Sequence, residues 1–217
     1  MKIKACLFDL DGVIVDTAKF HFIAWKEMAA ELGFDFSEDD NELLKGVSRM
    51  RSLEILLDIG KITRTDEEKL ILAEQKNRRY LEFVYQMTDD EILPGVTRFL
   101  TDLRSNGMLI ALGSASKNAP LILDRIHLKG QFDEIVDGNA VSKAKPDPEV
   151  FLRCASLLKV EPSVCLVFED AQAGIEAALN GGMNVIGVGS SDNLSLADHY
   201  IPGFKKLDYE LLSKWYN

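Results

Sequence analysis

The sequence predicts an α/β protein in which a Rossmann-like parallel sheet carries an inserted all-helical segment. Two observations support this fold class. From residue 93 onward, short apolar runs alternate with helical patterns, whereas residues 16–92 show helical spacing of apolar residues. Strands that alternate with helices form parallel sheets joined by right-handed crossovers. We therefore expect an α/β core built from residues 1–15 and 93–217, and a helical cap domain formed by residues 16–92.

The individual elements follow from local patterns. An apolar run at residues 2–8 predicts the first strand, which ends at Asp9. In the insert, Phe20, Ala24 and Met28 recur at helical spacing. Pro120 fits the first turn of a later helix, and Gly181 fits a helix C-terminus. The remaining predictions are strands at 108–113, 164–168 and 183–188 and helices at 118–127, 148–158 and 171–180.

Composition excludes several functional classes. The 217-residue chain has a formal net charge of −10, which disfavours general affinity for nucleic acid or for anionic membranes. This charge does not exclude a phosphorylated small molecule, because a few local cations and a metal ion can override it. The three cysteines are widely spaced and odd in number, which favours a reducing compartment over a disulfide framework. With no signal-peptide pattern and no apolar run of membrane-spanning length, we expect a cytoplasmic protein. We also expect it to be a monomer.

Chemically capable side chains lie at or near four predicted strand ends. They are Asp9, Ser114, Lys145 and the adjacent pair Glu169 and Asp170. Ligands of such sheets bind beyond the carboxyl ends of the strands. These side chains are therefore predicted to converge on one edge of the sheet.

The first group contains Asp9 and Asp11, followed by Gly12. A carboxylate nucleophile can form an acyl-phosphate and so divide a difficult transfer into two steps. A second carboxyl beside it could protonate the leaving oxygen and later accept a proton. The competing interpretation is a simple turn, since Asp and Gly are common in loops.

The second group is the segment 113–118, which contains Ser114, Ala115, Ser116, Lys117 and Asn118. Small residues at a helix N-terminus can present hydroxyl and amide donors to a phosphate. Helix capping by Ser or Asn is the competing interpretation.

The third and fourth groups supply a cation and two acids. Lys145, held by the prolines that follow it, could neutralise a phosphate and Asp9 together, and Lys143 is its competitor. At about 4 Å and an effective dielectric constant near 20, such a charge pair is worth roughly 4 kcal/mol. Glu169 and Asp170 together could hold Mg²⁺, which prefers oxygen ligands. A solvated loop and helix capping by Asp170 are the respective alternatives.

Taken together, these motifs resemble the haloacid dehalogenase (HAD) superfamily, in the order in which that family carries them. The resemblance covers essentially the whole chain, with a poor match after Gly189, and implies the HAD fold, with residues 16–92 as its helical cap. A closer resemblance, to the β-phosphoglucomutase family, is carried by five segments. They are residues 9–18 with His21 and Trp25, residues 45–49, Lys76 with Asn77, residues 114–118, and residues 169–175. The departures are Gly113, Asp147 and Ala171, and none of them is a proposed proton-transfer or metal group.

The closer resemblance implies a reaction. β-D-Glucose 1-phosphate and glucose 6-phosphate would interconvert through β-glucose 1,6-bisphosphate, with Asp9 carrying the phosphoryl group and Asp11 acting as general acid and base. Mg²⁺ would bind the carboxylates of Asp9 and Asp170, the backbone carbonyl of Asp11, and Glu169. The transferring phosphate would be held by Ser114, Ala115 and Lys145, with Ser116, Lys117 and Asn118 close by.

The same resemblance assigns roles to the cap. A sugar bisphosphate needs a second phosphate site, for which Arg49 is the candidate, because guanidinium matches phosphate bidentately. The alternative for Arg49 is a solvated helix surface. Gly46, Val47, Ser48 and Ser52 would lie at the sugar site, although Ser48 could instead cap a helix.

Three further cap residues belong to this expectation. His21 and Lys76 would form a polar link to Asp11 when the cap closes; without the resemblance, a surface Lys and a helix-face His are the ordinary interpretations. Trp25 either lines the closed sugar site or packs the cap.

Two other functions use the same residues. A sugar-phosphate phosphatase shares all four core groups, so the features that favour the mutase lie in the cap: His21, Gly46, Val47, Ser48, Arg49 and Lys76. A non-catalytic sugar-phosphate-binding protein would not require a nucleophile beside a proton shuttle. The joint presence of Asp9, Asp11, Lys145 and Asp170 therefore argues against it.

Overall fold

A computed structural model describes residues 3–44, 46–190, 194 and 196–216. Over this part of the chain, six parallel strands form one sheet in the order β3-β2-β1-β4-β5-β6. The strands are Ala5–Phe8 (β1), Leu109–Gly113 (β2), Glu134–Val136 (β3), Cys165–Glu169 (β4), Asn184–Val188 (β5) and His199–Ile201 (β6). The predicted parallel α/β sheet is thereby confirmed. Lys2, which opens the first predicted strand, lies outside the described residues.

The helices divide into an inserted set and a set that covers the sheet. The insert between β1 and β2 contains Ala18–Leu32 (α1), Glu38–Glu42 (α2), Arg49–Ile59 (α3) and Asp66–Val84 (α4). The other helices are Val96–Ser105 (α5), Ala119–Arg125 (α6), Glu149–Leu157 (α7), Gln172–Asn180 (α8) and Tyr209–Tyr216 (α9).

The sheet is buried on both faces, as a parallel sheet with helical crossovers requires. Successive residues of β1 alternate between two apolar clusters. Phe8 belongs to the cluster that includes residues of helices α5, α6 and α9, whereas Leu7 belongs to the cluster that includes residues of α7 and α8. Phe8 also stacks on Phe168 of β4, with ring centroids 4.7 Å apart. This packing fixes the end of β1, and therefore the backbone at Asp9.

The inserted helices have an apolar cluster of their own, centred on Trp25, Met28, Leu53 and Leu56. Helices α1 and α4 also contribute to the apolar cluster beside the sheet, in which Ala24 of α1 and Tyr80 of α4 are buried. The two connections between insert and sheet run side by side. The Asp16 amide donates to the Glu91 carbonyl at 2.9 Å, and the Leu93 amide donates to the Ile14 carbonyl at 2.9 Å.

Strands β3 and β6 have no counterpart in the sequence predictions. Each spans only three residues, which is too short for alternation to distinguish a strand from a loop. Every strand and helix predicted between residues 108 and 188 is present, with no end shifted by more than two residues. Within the described residues, no helix combines the length and the apolar character needed to cross a membrane.

Candidate active site

The predicted strand ends meet at one edge of the sheet. Phe8 lies in register with Leu112 of β2 and with Phe168 of β4. The chain therefore places Asp9 between the segment that begins at Ser114 and the acidic pair that closes β4. The Asp9 amide donates to the Phe168 carbonyl at 3.0 Å, which ties the position of Asp9 to that of Glu169.

Asp9 belongs to a buried charge triad. Lys145 Nζ lies 2.6 Å from Asp9 Oδ1 and 2.5 Å from Glu169 Oε1, and only 4% of Lys145 is exposed. Burial alone would lower the pKa of Lys145, but the Asp9 and Glu169 carboxylates more than offset it, so this pKa lies above its usual value. Lys143 is instead exposed and pairs with Asp147 at 3.2 Å. The geometry therefore favours Lys145 over Lys143 as the cation beside Asp9.

Asp9, Glu169 and Asp170 form a group that could hold a metal ion. One carboxylate oxygen from each of these residues lies within 4.8 Å of the others. An all-oxygen set of this kind fits a hard divalent cation. The Asp11 carboxylate lies outside this group. The sequence prediction for Asp11 concerned its backbone carbonyl, and it stays a prediction.

Two glycines leave the space that the side chains of Glu169 and Asp170 occupy. Gly12 has φ +79°, and a Cβ at this position would overlap Asp170 Oδ2. A Cβ at Gly174, in the first turn of α8, would overlap Glu169 Oε1. Glu169 Oε2 accepts from the Ala171 amide at 2.9 Å. Ala171, which follows Asp170, occupies the N-cap position of α8 and makes no side-chain capping hydrogen bond.

Asp11 sits where the sheet meets the insert. The Thr17 hydroxyl donates to Asp11 Oδ1, and His21 Nε2 lies 3.9 Å from the same oxygen. Asp11 faces a cavity, and 27% of its side chain is accessible. Even so, burial and then repulsion from Asp9 raise its pKa to about 6. A carboxyl with such a pKa can both donate and accept a proton near neutral pH.

The cap contributes a group of nitrogen-bearing side chains. Lys76 Nζ lies 2.6 Å from His21 Nδ1, and it sits over the rings of Trp25 and Tyr80, at 4.6 Å and 4.8 Å from their centroids. Only 2% of Lys76 is exposed, so it is not a surface lysine. Burial and the positive charge of Arg49 hold the pKa of Lys76 well below its usual value. A bound anion would favour the charged form again, and the group therefore suits an anionic ligand.

A cavity of about 510 Å³ joins these two sets of residues. Its lining includes every site residue predicted from sequence except Glu169, which lies beneath Lys145. The predicted residues that line it are Asp9, Asp11, His21, Trp25, Gly46, Val47, Ser48, Arg49, Ser52, Lys76, Ser114, Ala115, Ser116, Lys117, Asn118, Lys145 and Asp170. Lys45, which belongs to the same sequence motif, lies outside the described residues.

Several polar residues of the lining have local structural roles as well. The Ser48 hydroxyl accepts from the Arg51 amide at 3.3 Å, so Ser48 caps α3 as the competing interpretation held. Ser114 Oγ accepts from the Ser116 amide at 3.0 Å and shapes the loop after β2. Arg49 lines the cavity and lies 3.7 Å from Glu74.

Thr17 and Tyr80 also contact site residues but were not predicted from the sequence. Tyr80 stacks on His21 with ring centroids 4.1 Å apart. It lies four residues after Lys76 on α4, a spacing that puts both on one helix face and could have indicated its place. Thr17 carries no comparable signal, because its contact with Asp11 depends on how the chain enters α1.

Known proteins resemble this chain in sequence and in structure. The family model of haloacid dehalogenase-like hydrolases matches residues 3–182. The chain is 43% identical to β-phosphoglucomutase of Bacillus subtilis, across 96% of this chain and 93% of that protein. It is 32% identical to a phosphorylated carbohydrates phosphatase of Thermotoga maritima, across 84% of this chain and 83% of that protein.

A crystal structure of β-phosphoglucomutase from Clostridium difficile superimposes with a TM-score of 0.95 at 41% identity. The match covers 99% of this chain and 97% of that one, so it includes both the sheet and the inserted helices. The family model alone spans most of the chain, from the strand that precedes Asp9 to the end of α8. The chain belongs to the haloacid dehalogenase-like hydrolase family.

Proposed function

We propose that this enzyme interconverts β-D-glucose 1-phosphate and glucose 6-phosphate through β-glucose 1,6-bisphosphate and a phosphorylated Asp9. One observation carries the proposal. A single cavity has Asp9 and Lys145 on the sheet side and Arg49 and Lys76 on the cap side. A sugar bisphosphate has an anionic group at each end, and this cavity offers cations at both. The similarity to two β-phosphoglucomutases supports the same assignment.

The chemistry divides into two transfers at Asp9. A sugar hydroxyl attacks the phosphorus of phosphorylated Asp9, the bond from phosphorus to the Asp9 oxygen breaks, and Asp11 takes the hydroxyl proton. The resulting bisphosphate turns round in the site. Asp9 then attacks its other phosphorus, and Asp11 returns the proton to the departing sugar oxygen. Lys145 stabilises the negative charge that the nucleophile and the phosphoryl group share.

Asp9, Asp170 and Glu169 are the residues that would hold a divalent cation, and Mg²⁺ fits their oxygen atoms. When bound, such a cation neutralises negative charge on the transferring phosphoryl group. Lys145 already neutralises part of the negative charge of Asp9 and Glu169. Lys145 Nζ lies 2.5 Å from Glu169 Oε1, so Glu169 would share its charge between Lys145 and the cation.

The cap excludes water from the intermediate. Gly46 of the cap packs against Ala171 of the core, where an added Cβ would lie 2.8 Å from the Ala171 Cβ. Such a close approach leaves little space for solvent at this rim. Exclusion of water lets the phosphoryl group pass to a sugar hydroxyl and not to water.

A sugar-phosphate phosphatase is the second candidate, because the phosphatase relative from Thermotoga maritima shares a large part of this chain. The two functions differ in their need for a primer. We expect a lag with β-glucose 1-phosphate alone, because a mutase must first receive a phosphoryl group on Asp9. Added glucose 1,6-bisphosphate should shorten the lag, and glucose 6-phosphate should accumulate with little free phosphate. Stoichiometric phosphate release without a primer effect would replace the mutase proposal with the phosphatase.

Arg49→Ala should impair the use of bisphosphate more than the loading of Asp9 by a small acyl phosphate. Only the bisphosphate spans both ends of the cavity, and a buried charged hydrogen bond to phosphate is worth about 1.5–3 kcal/mol, or roughly 10- to 100-fold in affinity. The apparent KM for bisphosphate measures the effect. Arg51→Ala is the matched control, because Arg51 lies on the same helix, is exposed, and pairs with Glu54 at 3.1 Å. Equal losses in the two variants would contradict a phosphate site at Arg49.

A further inference from the structure

Asn77 connects the cap to the phosphate-binding side of the cavity. It lies on α4 directly after Lys76, is 8% exposed, and lines the cavity. Its Oδ1 accepts a hydrogen bond from Asn118 Nδ2 at 3.0 Å. Asn118 follows Lys117 in the loop between β2 and α6. One hydrogen bond therefore joins a cap helix to the loop that would hold phosphate.

The conformation of Asn118 supports a specific role for this bond. Asn118 is the N-cap residue of α6, a position where an asparagine side chain commonly accepts from a backbone amide of its own helix. Here its side chain makes no capping hydrogen bond. The Asn118 amide group instead faces Asn77. An N-cap side chain that forgoes the capping hydrogen bond and bonds another element indicates a role outside its own helix.

The neighbours of Asn77 show what the bond would hold in place. Lys76 contacts His21, and His21 lies beside Asp11. The consecutive residues 76 and 77 thus reach the proton-transfer side and the phosphate side of the same cavity. If the cap moved away from the core, His21 would separate from Asp11 and Asn77 would separate from Asn118, and water would reach Asp9.

We propose that Asn77 is a positioning residue that latches α4 to the loop 114–118 through Asn118 and so keeps the cap closed over phosphorylated Asp9. The inference rests on the proposed function, because it assumes a phosphoryl group on Asp9 that must be kept from water. Asn77 takes no part in the bond changes. Its effect is to set how the intermediate divides between sugar and water.

The test uses Asn77→Ala, with Arg78→Ala as its control, because Arg78 is the next residue of α4 and is exposed. Each enzyme is loaded with an acyl phosphate, and the hydrolysis of the phosphoenzyme is followed. One neutral hydrogen bond is worth about 0.5–1.5 kcal/mol, which corresponds to roughly 2- to 10-fold. We expect hydrolysis of the phosphoenzyme to accelerate by that factor in Asn77→Ala, while its rate of loading stays at the wild-type value. In Arg78→Ala, both rates should equal those of the wild type.

A second measurement reports cap closure without chemistry. The sequence contains two tryptophans, and Trp25 lines the cavity. In a Trp215→Phe background, acrylamide should quench Trp25 fluorescence more strongly in Asn77→Ala than in the parent enzyme. Asn77→Asp keeps an oxygen that accepts from Asn118 and should restore the protection. If Asn77→Ala does not fold, Asn77→Ser, whose side chain is too short to reach Asn118, replaces it in both measurements and should show the same loss of protection.

The outcomes separate the latch from the proposed function. Wild-type quenching and wild-type phosphoenzyme hydrolysis in Asn77→Ala would overturn the latch. Phosphate release by the wild-type enzyme without a primer effect would overturn the mutase assignment. In that case the quenching comparison would still show whether Asn77 holds the cap.

Discussion

Asp9→Asn should give a folded enzyme that forms no covalent phosphoenzyme and has no measurable mutase turnover. The amide that replaces the carboxylate is not a nucleophile at this position, and the neighbouring carboxylate of Asp11 is assigned to proton transfer. The fold should persist, because the new side-chain oxygen can still accept from Lys145, which keeps its contact with Glu169 at 2.5 Å. Lys145 therefore stays paired, and the large penalty of an unpaired buried charge is avoided.

Two variants frame this experiment. Asp11→Asn should still be phosphorylated by an acyl phosphate, whose leaving carboxylate needs no proton. Its transfer to sugar should fall by about 10²- to 10⁴-fold, the usual cost of losing general acid–base catalysis. Asp16→Asn alters an exposed carboxylate that pairs with Lys19 at 3.7 Å, and it should behave as the wild type. Mass spectrometry detects the phosphoryl adduct, and an adduct on Asp9→Asn would place the nucleophile elsewhere.

Part of the candidate site could be placed from the sequence, because Asp9, Ser114 and the Glu169–Asp170 pair each follow an apolar run. The apolar runs before Asp9, Ser114 and Glu169 predict strand ends, and parallel pairing then brings those ends to one edge. Predicting this edge of the sheet required only the order of strands and helices along the chain, and it did not require knowledge of the side-chain packing. For the same reason, strands β3 and β6 could go unrecognised without moving the predicted site.

The roles of two lysines, Lys145 and Lys76, could not be predicted from the sequence because they depend on burial. Lys143 and Lys145 are separated by one residue, and nothing local distinguishes them. Only the fold buries Lys145 between two carboxylates and leaves Lys143 at the surface. The role of Lys76 is similar, since its burial against Trp25 and Tyr80 comes from the packing of α1 against α4.

Residue pairs far apart in sequence form a second class of missed features. The hydrogen bond between Asn77 and Asn118 joins residues 41 positions apart, and either asparagine alone is typical of a polar helix surface or a helix cap. The contact between Thr17 and Asp11 is local, but it depends on the path of the chain between β1 and α1. Such contacts depend on the three-dimensional fold, so they cannot be predicted from a single sequence before the fold is known.

Removal of the divalent cation should abolish turnover, and Mg²⁺ should restore it. The acidic group of Asp9, Glu169 and Asp170 gathers more negative charge than Lys145 can neutralise. A phosphate dianion would be repelled from such a site unless a cation were present. Activity in excess chelator, followed by titration with Mg²⁺, measures the effect, and full activity without metal would contradict it. Asp170→Ala should also remove the Mg²⁺-induced rise in melting temperature, which reports binding independently of activity.

A sharper form of this prediction leaves all three acids in place. Gly12→Ala should weaken Mg²⁺ binding, because the added Cβ would overlap Asp170 Oδ2 and displace that carboxylate. Part of any loss could come from backbone strain, since Gly12 has φ +79°. Gly107→Ala is the matched control, because Gly107 has φ +75° but open space around its Cβ position. Both variants should lose about 1–2 kcal/mol of stability from the left-handed backbone. Only Gly12→Ala should raise the Mg²⁺ concentration needed for half-maximal activity. An equal rise in both variants would show that strain is responsible and that the position of Asp170 is not.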